Sequence, residues 1–265
     1  MAILTRAPRA ELTPFISRLW ACDGDAARDG EARERVLPTG AMHVVVRIDR
    51  PLVVYEPEAR VVGYAIIGGA RASAYVRDVG HPVSSVGAQL RPGAAELLLG
   101  VSAAALAERH TALEDVWADA AELRERLAEA APERRLAVFE AALLARLPRV
   151  RGVHPAVAHA LARFAAAGAV GAVVDEVGYS HRRFGTLFLD AVGLSPKRYC
   201  RVQRLQRALP AMAGRRPLAL VAVEAGYSDQ AHLTRELRAL TGVSPGEYRA
   251  LVQTPSNHVP VKPDR

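Results

Sequence analysis

The stretch that decides the fold is "VVDEVGYSHRRFGTLFLDAVGLSPKRY" (Val173–Tyr199), because it is spelled again as "VAVEAGYSDQAHLTRELRALTGVSPGEY" (Val221–Tyr248). Glu176, Gly178, Tyr179 and Ser180 match Glu224, Gly226, Tyr227 and Ser228 at an offset of 48. One extra residue then enters the second copy. Phe184, Phe188, Gly193, Ser195, Pro196 and Tyr199 match Leu233, Leu237, Gly242, Ser244, Pro245 and Tyr248 at 49. A one-residue change in the turn is where a loop tolerates it.

Each copy reads as a short helix, a glycine turn and a second helix. The glycine supplies a backbone angle other residues resist, and Ser180 and Ser228 cap or lead into the second helix of each copy. Phe184, Leu187, Phe188 and Ala191 share one face of the first copy's second helix, leaving Arg182, Gly185, Thr186 and Leu189 outward. In the second copy Leu233, Leu237 and Leu240 face inward, and Gln230, Thr234, Arg235 and Arg238 outward. This is a helix-turn-helix pattern whose polar second helix fits a major groove. Many helical hairpins look similar, so one copy says little; two in one basic segment say much more.

"SPKRYCRVQRLQRALPAMAG" (Ser195–Gly214) joins the copies as one long helix with apolar Tyr199, Val202, Leu205 and Leu209. About 15 residues span roughly 22 Å. With the offset of each recognition helix this approaches one DNA turn, about 34 Å. A single chain would then place two helices in successive major grooves.

Charge agrees. Residues 1–150 hold 19 Lys+Arg against 20 Asp+Glu, whereas residues 151–265 hold 16 against 8, a net of +8. That excess suits a polyanion; a solvated basic face is the bland alternative. The 265-residue chain is long enough for two domains, and its 50% hydrophobic and 24% charged content is that of a soluble protein. No apolar run is long enough to span a membrane, and "MAILTRAPRAELTPF" makes a poor signal peptide, so a cytoplasmic location is expected. Cys22 and Cys200 are too far apart in sequence for a Cys-x-x-Cys pair and form no disulfide framework.

Upstream, "MHVVVRI" (Met42–Ile48), "PLVVY" (Pro51–Tyr55), "RVVGYAII" (Arg60–Ile67), "ASAYVRDV" (Ala72–Val79) and "VSSVGAQL" (Val83–Leu90) read as strands of an antiparallel sandwich or partial barrel at about 36–91. Residues 94–147 read as helices. The stripe Leu136, Phe139, Leu143 and Leu147 packs on its own sheet or forms a dimer seam. The expected architecture is α+β: a domain over 1–147, a linker at 148–154, an all-α domain over 155–251 with two helix-turn-helix motifs joined by a long helix, and a disordered tail at 252–265.

The repeated "GYS…F…G-SP--Y" pattern and "YCRVQRLQRA" resemble the DNA-binding domain of the AraC/XylS family of bacterial transcriptional regulators over about 155–251. "AGYSDQAHLTRELRALTGVSPGEYR" (Ala225–Arg249) is the most specific part. "LPTGAMHVVVRI" and "GAQLRPGAAELLLGVSAAAL" resemble, less specifically, N-terminal domains of such regulators. The resemblance implies a degenerate cupin-like sheet that senses a small molecule, dimerises, or both. The implied partners are double-stranded DNA, an unidentified effector, a second copy of the chain and RNA polymerase. It implies no cofactor, no metal and no catalysis.

Base contacts are expected from Arg182, Gly185 and Thr186 in the first copy and Gln230, Thr234 and Arg235 in the second. Phosphate contacts are expected from Arg183, Lys197, Arg201, Arg204, Arg215, Arg216 and Arg238. Thr186 stands where the family usually has Arg, and Gly185 has no side chain to reach a base, so the second helix is the better expected reader. The rival reading is a cupin-like metal enzyme or a DNA-repair methyl acceptor with an appended DNA-binding domain. His43, His81 and His110 form no His-x-His or His-Glu-x-x-His pattern. Two isolated cysteines do not suit a zinc-bearing methyl acceptor.

Overall fold

The computed structural model describes residues 2–24, 32–147, 152–252 and 254–261. It is α+β, with two antiparallel sheets followed by a helical region. The strands are β1 (Ala2–Arg6), β2 (Ile16–Asp23), β3 (Arg33–Val36), β4 (His43–Arg47), β5 (Leu52–Tyr55), β6 (Ala59–Gly63), β7 (Ala65–Gly68), β8 (Tyr75–Asp78), β9 (Ser85–Leu90), β10 (His110–Ala112) and β11 (His258–Pro260). The larger sheet has the order β1-β2-β9-β4-β7-β10 and the smaller β11-β3-β8-β5-β6.

The sheets reach beyond the expected 36–91, since β1 and β2 precede residue 36, β3 ends there, and β10 and β11 lie past residue 91. Polar residues interrupt their alternation: β3 is simply Arg-Glu-Arg-Val. The stretch Arg60–Ile67, read as one strand, is two. Gly63 takes φ +144 and breaks it, so β6 ends in the smaller sheet and β7 continues in the larger.

Four helices follow β9 in the N-terminal half: α1 (Ala95–Leu99), α2 (Ala103–Leu106), α3 (Ala120–Glu129) and α4 (Pro132–Leu144), with β10 between α2 and α3. Leu136, Phe139 and Leu143 are buried in one core with Leu19, Ala21, Val86 and Ala88 of β2 and β9. The apolar stripe of α4 therefore covers its own sheet, as an amphipathic helix does to remove its apolar face from water. Glu140, 1% exposed, accepts from Arg6 Nη2 at 2.7 Å and Arg9 N at 2.9 Å, tying α4 to the N-terminal strand and turn.

Between the sheets the interior is partly polar. Arg77 donates to Glu34 at 2.7 and 3.0 Å, and His258 Nδ1 lies 3.1 Å from Glu34. Burial pushes the imidazoles of His43 and His110 down to about 4 and about 3, so both are neutral near neutral pH. Among the described residues no three His, Cys, Asp or Glu side chains are grouped to hold a metal ion.

The helical half comprises α5 (Pro155–Ala165), α6 (Val170–Val177), α7 (His181–Val192), α8 (Pro196–Ala213), α9 (Leu218–Ala225), α10 (Gln230–Thr241) and α11 (Pro245–Leu251). The expected linker falls mostly outside the described residues, which resume at Gly152. The two halves share their cores. Phe164, Phe184 and Phe188 belong to the same buried cluster as β2, β4 and β9, while Leu37 and Val259 join the cluster around α9 and α10. Gln206 Nε2 donates to Pro38 O at 2.8 Å, Ala74 N to Leu240 O at 2.8 Å, and Arg198 pairs with Glu108 at 2.7 Å.

The tail corrects the expectation of disorder over its described part. His258–Pro260 form β11, paired antiparallel with β3, and Val259 is fully buried. Tyr248 Oη donates to Ser256 O at 3.0 Å, and Gln206 also donates to Asn257 Oδ1 at 2.8 Å. An open sheet edge supplies backbone partners that a polar, proline-rich segment can use without its own apolar pattern. No described helix is long and apolar enough to cross a membrane.

Candidate nucleic-acid interface

Both copies of the repeat fold as helix, left-handed glycine, helix. α6 ends at Gly178 with φ +70 and α9 at Gly226 with φ +87, a region that penalises any Cβ. Tyr179 and Tyr227 come next. Ser180 then caps α7 by accepting from Arg183 N at 3.3 Å. In the second copy the cap is not Ser228. The extra residue, Asp229, takes that role, accepting from His232 N at 2.7 Å, while the Ser228 hydroxyl donates to Asp229 at 3.0 Å. The one-residue change of offset is thus absorbed at the cap. At the far end Gly193 and Gly242 close α7 and α10 at φ +84 and +73, and Ser195 and Ser244 cap the next helices.

The inward faces fix how α7 and α10 pack on their neighbours. Phe184 and Phe188 of α7 pack with Phe164 of α5 and Tyr199 of α8. The Phe188 ring lies 5.6 Å from each of the latter two, edge to face. Leu233, Leu237 and Leu240 of α10 are buried against α8 and α9. α8 is continuous, and Tyr199, Val202, Leu205 and Leu209 are all buried along it.

On the outward faces Arg182 and Thr186 of α7 and Gln230 and Arg235 of α10 are exposed, and Gly185 and Thr234 half-buried. Arg182 and Arg235 have no ion-pair partner among the described residues. The Thr186 hydroxyl donates to Arg182 O at 3.2 Å and that of Thr234 to Gln230 O at 2.9 Å. Each hydroxyl proton is therefore used within its helix, leaving the oxygen free to accept. Arg182 and Thr186 line a shallow concavity with Ser180, Arg183, Leu187 and Asp190.

The seven expected phosphate cations divide. Lys197 and Arg215 are exposed, and Arg183 is exposed with its guanidinium 4.6 Å from the Tyr179 ring centroid. Arg204 is half-buried, 5.4 Å from the Tyr227 ring centroid. Arg201 is held by Glu236 of α10 at 2.8 and 2.9 Å, and Arg216 by Glu224 at 2.5 Å. Arg238 is exposed but lines a cleft against the smaller sheet. Arg207 is likewise exposed on α8, one turn beyond Arg204. Arg201, Arg204 and Arg207 follow one another at three-residue spacing along α8.

Similarity to known proteins tracks these elements. Residues 173–251, from within α6 to the last residue of α11, match a helix-turn-helix domain family. The arabinose operon regulatory protein of Escherichia coli K12 is 33% identical over 94 residues, 35% of this chain and 32% of that protein. The C-terminal region is an AraC-type helix-turn-helix domain. The chain spans about a third of that relative's length, so the likeness is confined to the AraC-type domain. Upstream of it, residues 4–112, from β1 through β10, match a domain of unknown function, DUF6597. Structures of ToxT from Vibrio cholerae align with most of the chain. The P21 form covers 94% of this chain and 97% of ToxT at 9% identity and a TM-score of 0.41. The form bound to an unsaturated fatty acid covers 87% and 94% at 8% identity and 0.43.

Proposed function

We propose that the protein is a sequence-specific DNA-binding transcriptional regulator of the cytoplasm, with α7 and α10 entering successive major grooves of duplex DNA. The observation that carries this reading is the pair of outward helix faces. Each begins at a capped N-terminus and bears an exposed guanidinium without an acidic partner among the described residues, in a half of the chain with net charge +8. Arg182, Gly185 and Thr186 meet bases through the first helix; Gln230, Thr234 and Arg235 do so through the second. Arg235 is suited to guanine and Gln230 to adenine. Arg183, Lys197, Arg204 and Arg215 hold the phosphates, joined by Arg207.

The β-domain modulates this binding in response to a small molecule, through the contacts it makes with α7, α8 and α10. ToxT binds an unsaturated fatty acid in one of its structures; the effector of this chain is a matter for its own residues. RNA polymerase and a second copy of the chain remain proposed partners. The test is Arg235→Ala against sites selected from random DNA. The expected result is a loss of about 1–3 kcal/mol with preference relaxed at one base pair. An equal loss on every sequence would make Arg235 a phosphate contact and refute its assigned role.

A further inference from the structure

The first helix of the second repeat, α9, is apolar on more than its buried side. Val221, Ala222 and Ala225 are buried against α8 and α10, yet Leu220 is 52% and Val223 67% exposed. The other large apolar side chains exposed among the described residues, Leu4, Val61 and Leu189, stand singly in separate elements. Single ones need no explanation, whereas two placed three residues apart make a continuous surface on one helix face. The first repeat has no such surface: Ala172 and Asp175 of α6 occupy the equivalent places at the offset of 48. Phosphates are met by cations, polar side chains and backbone N–H groups, so two apolar side chains do not suit the DNA backbone.

Exposed Arg216 and Glu224 flank the patch and pair with each other at 2.5 Å. They stand four residues before and four after Leu220, and exposed Pro217 and Val223 stand three before and three after. A two-fold axis through Leu220 therefore sets Arg216 of one chain against Glu224 of the other, and Pro217 against Val223, in both directions. Each carboxylate keeps lone pairs for a second guanidinium, so the pair within a chain need not break. The face is complementary to itself.

We propose that α9 docks on α9 of a second copy of this chain, antiparallel about that axis, and so joins two chains bound side by side on DNA. Two apolar side chains per chain bury far less than the roughly 800 Å² per partner of a stable interface. The contact is therefore weak in free solution and acts where DNA holds two chains at high effective concentration. Because α9 belongs to the second repeat, the chains meet second repeat to second repeat, which requires inverted rather than direct copies of the site. The inference rests on the DNA-binding reading and adds to it a protein contact and a site arrangement.

The test is binding of the full chain to DNA with two copies of a selected site, inverted or direct, with spacers stepped through one helical turn. Filling one site is expected to tighten the other by about 10-fold in an inverted arrangement. Leu220→Gln/Val223→Gln, which changes only exposed side chains, is expected to keep single-site affinity and lose the cooperativity. Arg216→Glu and Glu224→Arg are each expected to lose it alone, and an equal mixture of the two to regain part of it, because only mixed pairs then oppose unlike charges. Cooperativity is read against each sample's own single-site affinity, so a change in that affinity does not enter. No cooperativity in any inverted arrangement, undiminished cooperativity in Leu220→Gln/Val223→Gln, or a mixture no better than its components overturns the proposal. Single-site binding without cooperativity leaves the DNA-binding reading standing, whereas absent single-site binding removes that reading and the docking surface with it.

Discussion

Arg201 of α8 grips Glu236 of α10, Nε and Nη2 each meeting a different carboxylate oxygen at 2.8 and 2.9 Å. This hydrogen bonding holds the Glu236 carboxyl below its usual range. It also makes Arg201 a part that orients α10 rather than a free cation. A double-mutant cycle with Arg201→Ala and Glu236→Ala is expected to give a coupling of about 0.5–1 kcal/mol, because the Arg201 side chain is 40% exposed. The salt slope of DNA binding should not change in Arg201→Ala, whereas Lys197→Gln should lower it by about 1. A reduced slope in Arg201→Ala would return that residue to the phosphate contacts.

Gly185 and Gly226 should respond in opposite ways to alanine. Gly185 lies within α7, and a Cβ there meets nothing within 4 Å, so Gly185→Ala should stabilise the fold by about 0.5–1 kcal/mol. Gly226 has equal space but a φ of +87, so Gly226→Ala should destabilise by about 1 kcal/mol or more. Denaturant midpoints of the two variants check this, and equal signs would contradict it.

The C-terminal strand anchors the helical half to the smaller sheet. Val259 is fully buried in the core around α10, and its main chain pairs with β3. Val259→Asp places a carboxylate there and should cost about 3 kcal/mol or more. Hydrogen exchange should then report lost protection in β3 and α10 before α4. Unchanged stability would show that β11 is dispensable.

Stability should fall in mild acid. Burial holds His43 at about 4 against 6.5 in an open chain, so between those values the unfolded chain binds more protons. The contribution is complete above pH 6.5 and is lost as pH falls toward 4. His43 should contribute about 1–2 kcal/mol of the drop in unfolding free energy between pH 7 and pH 5, with His110 adding a similar share, and the drop should be smaller in His43→Gln. An identical drop in the variant would assign the sensitivity elsewhere, His110 being the next candidate.

The helix-turn-helix units were legible because each rests on local signals: helical spacing of Phe184 and Phe188, or of Leu233 and Leu237, and a glycine where the backbone must turn left-handed. The outward positions of α7 and α10 derive from the same spacing, which is why Arg182 and Arg235 are exposed on the faces opposite the buried Phe and Leu residues. Non-local features were not legible. The partner of Arg201 lies 35 residues away, and the tie between Ala74 and Leu240 is a backbone hydrogen bond that no side chain announces. β3 lacks apolar alternation because it carries charged side chains, and β11 is a three-residue strand with a single buried side chain, Val259. Asp229 as the cap was hidden by the Ser that matches Ser180 in the first copy.

The central claim is that two recognition helices of one chain grip duplex DNA. Its most direct test is selection from random DNA followed by a salt titration on the selected site. The account predicts two unequal half-elements about one helical turn apart, with affinity falling steeply as salt rises. A single half-element, or binding insensitive to salt, would contradict it.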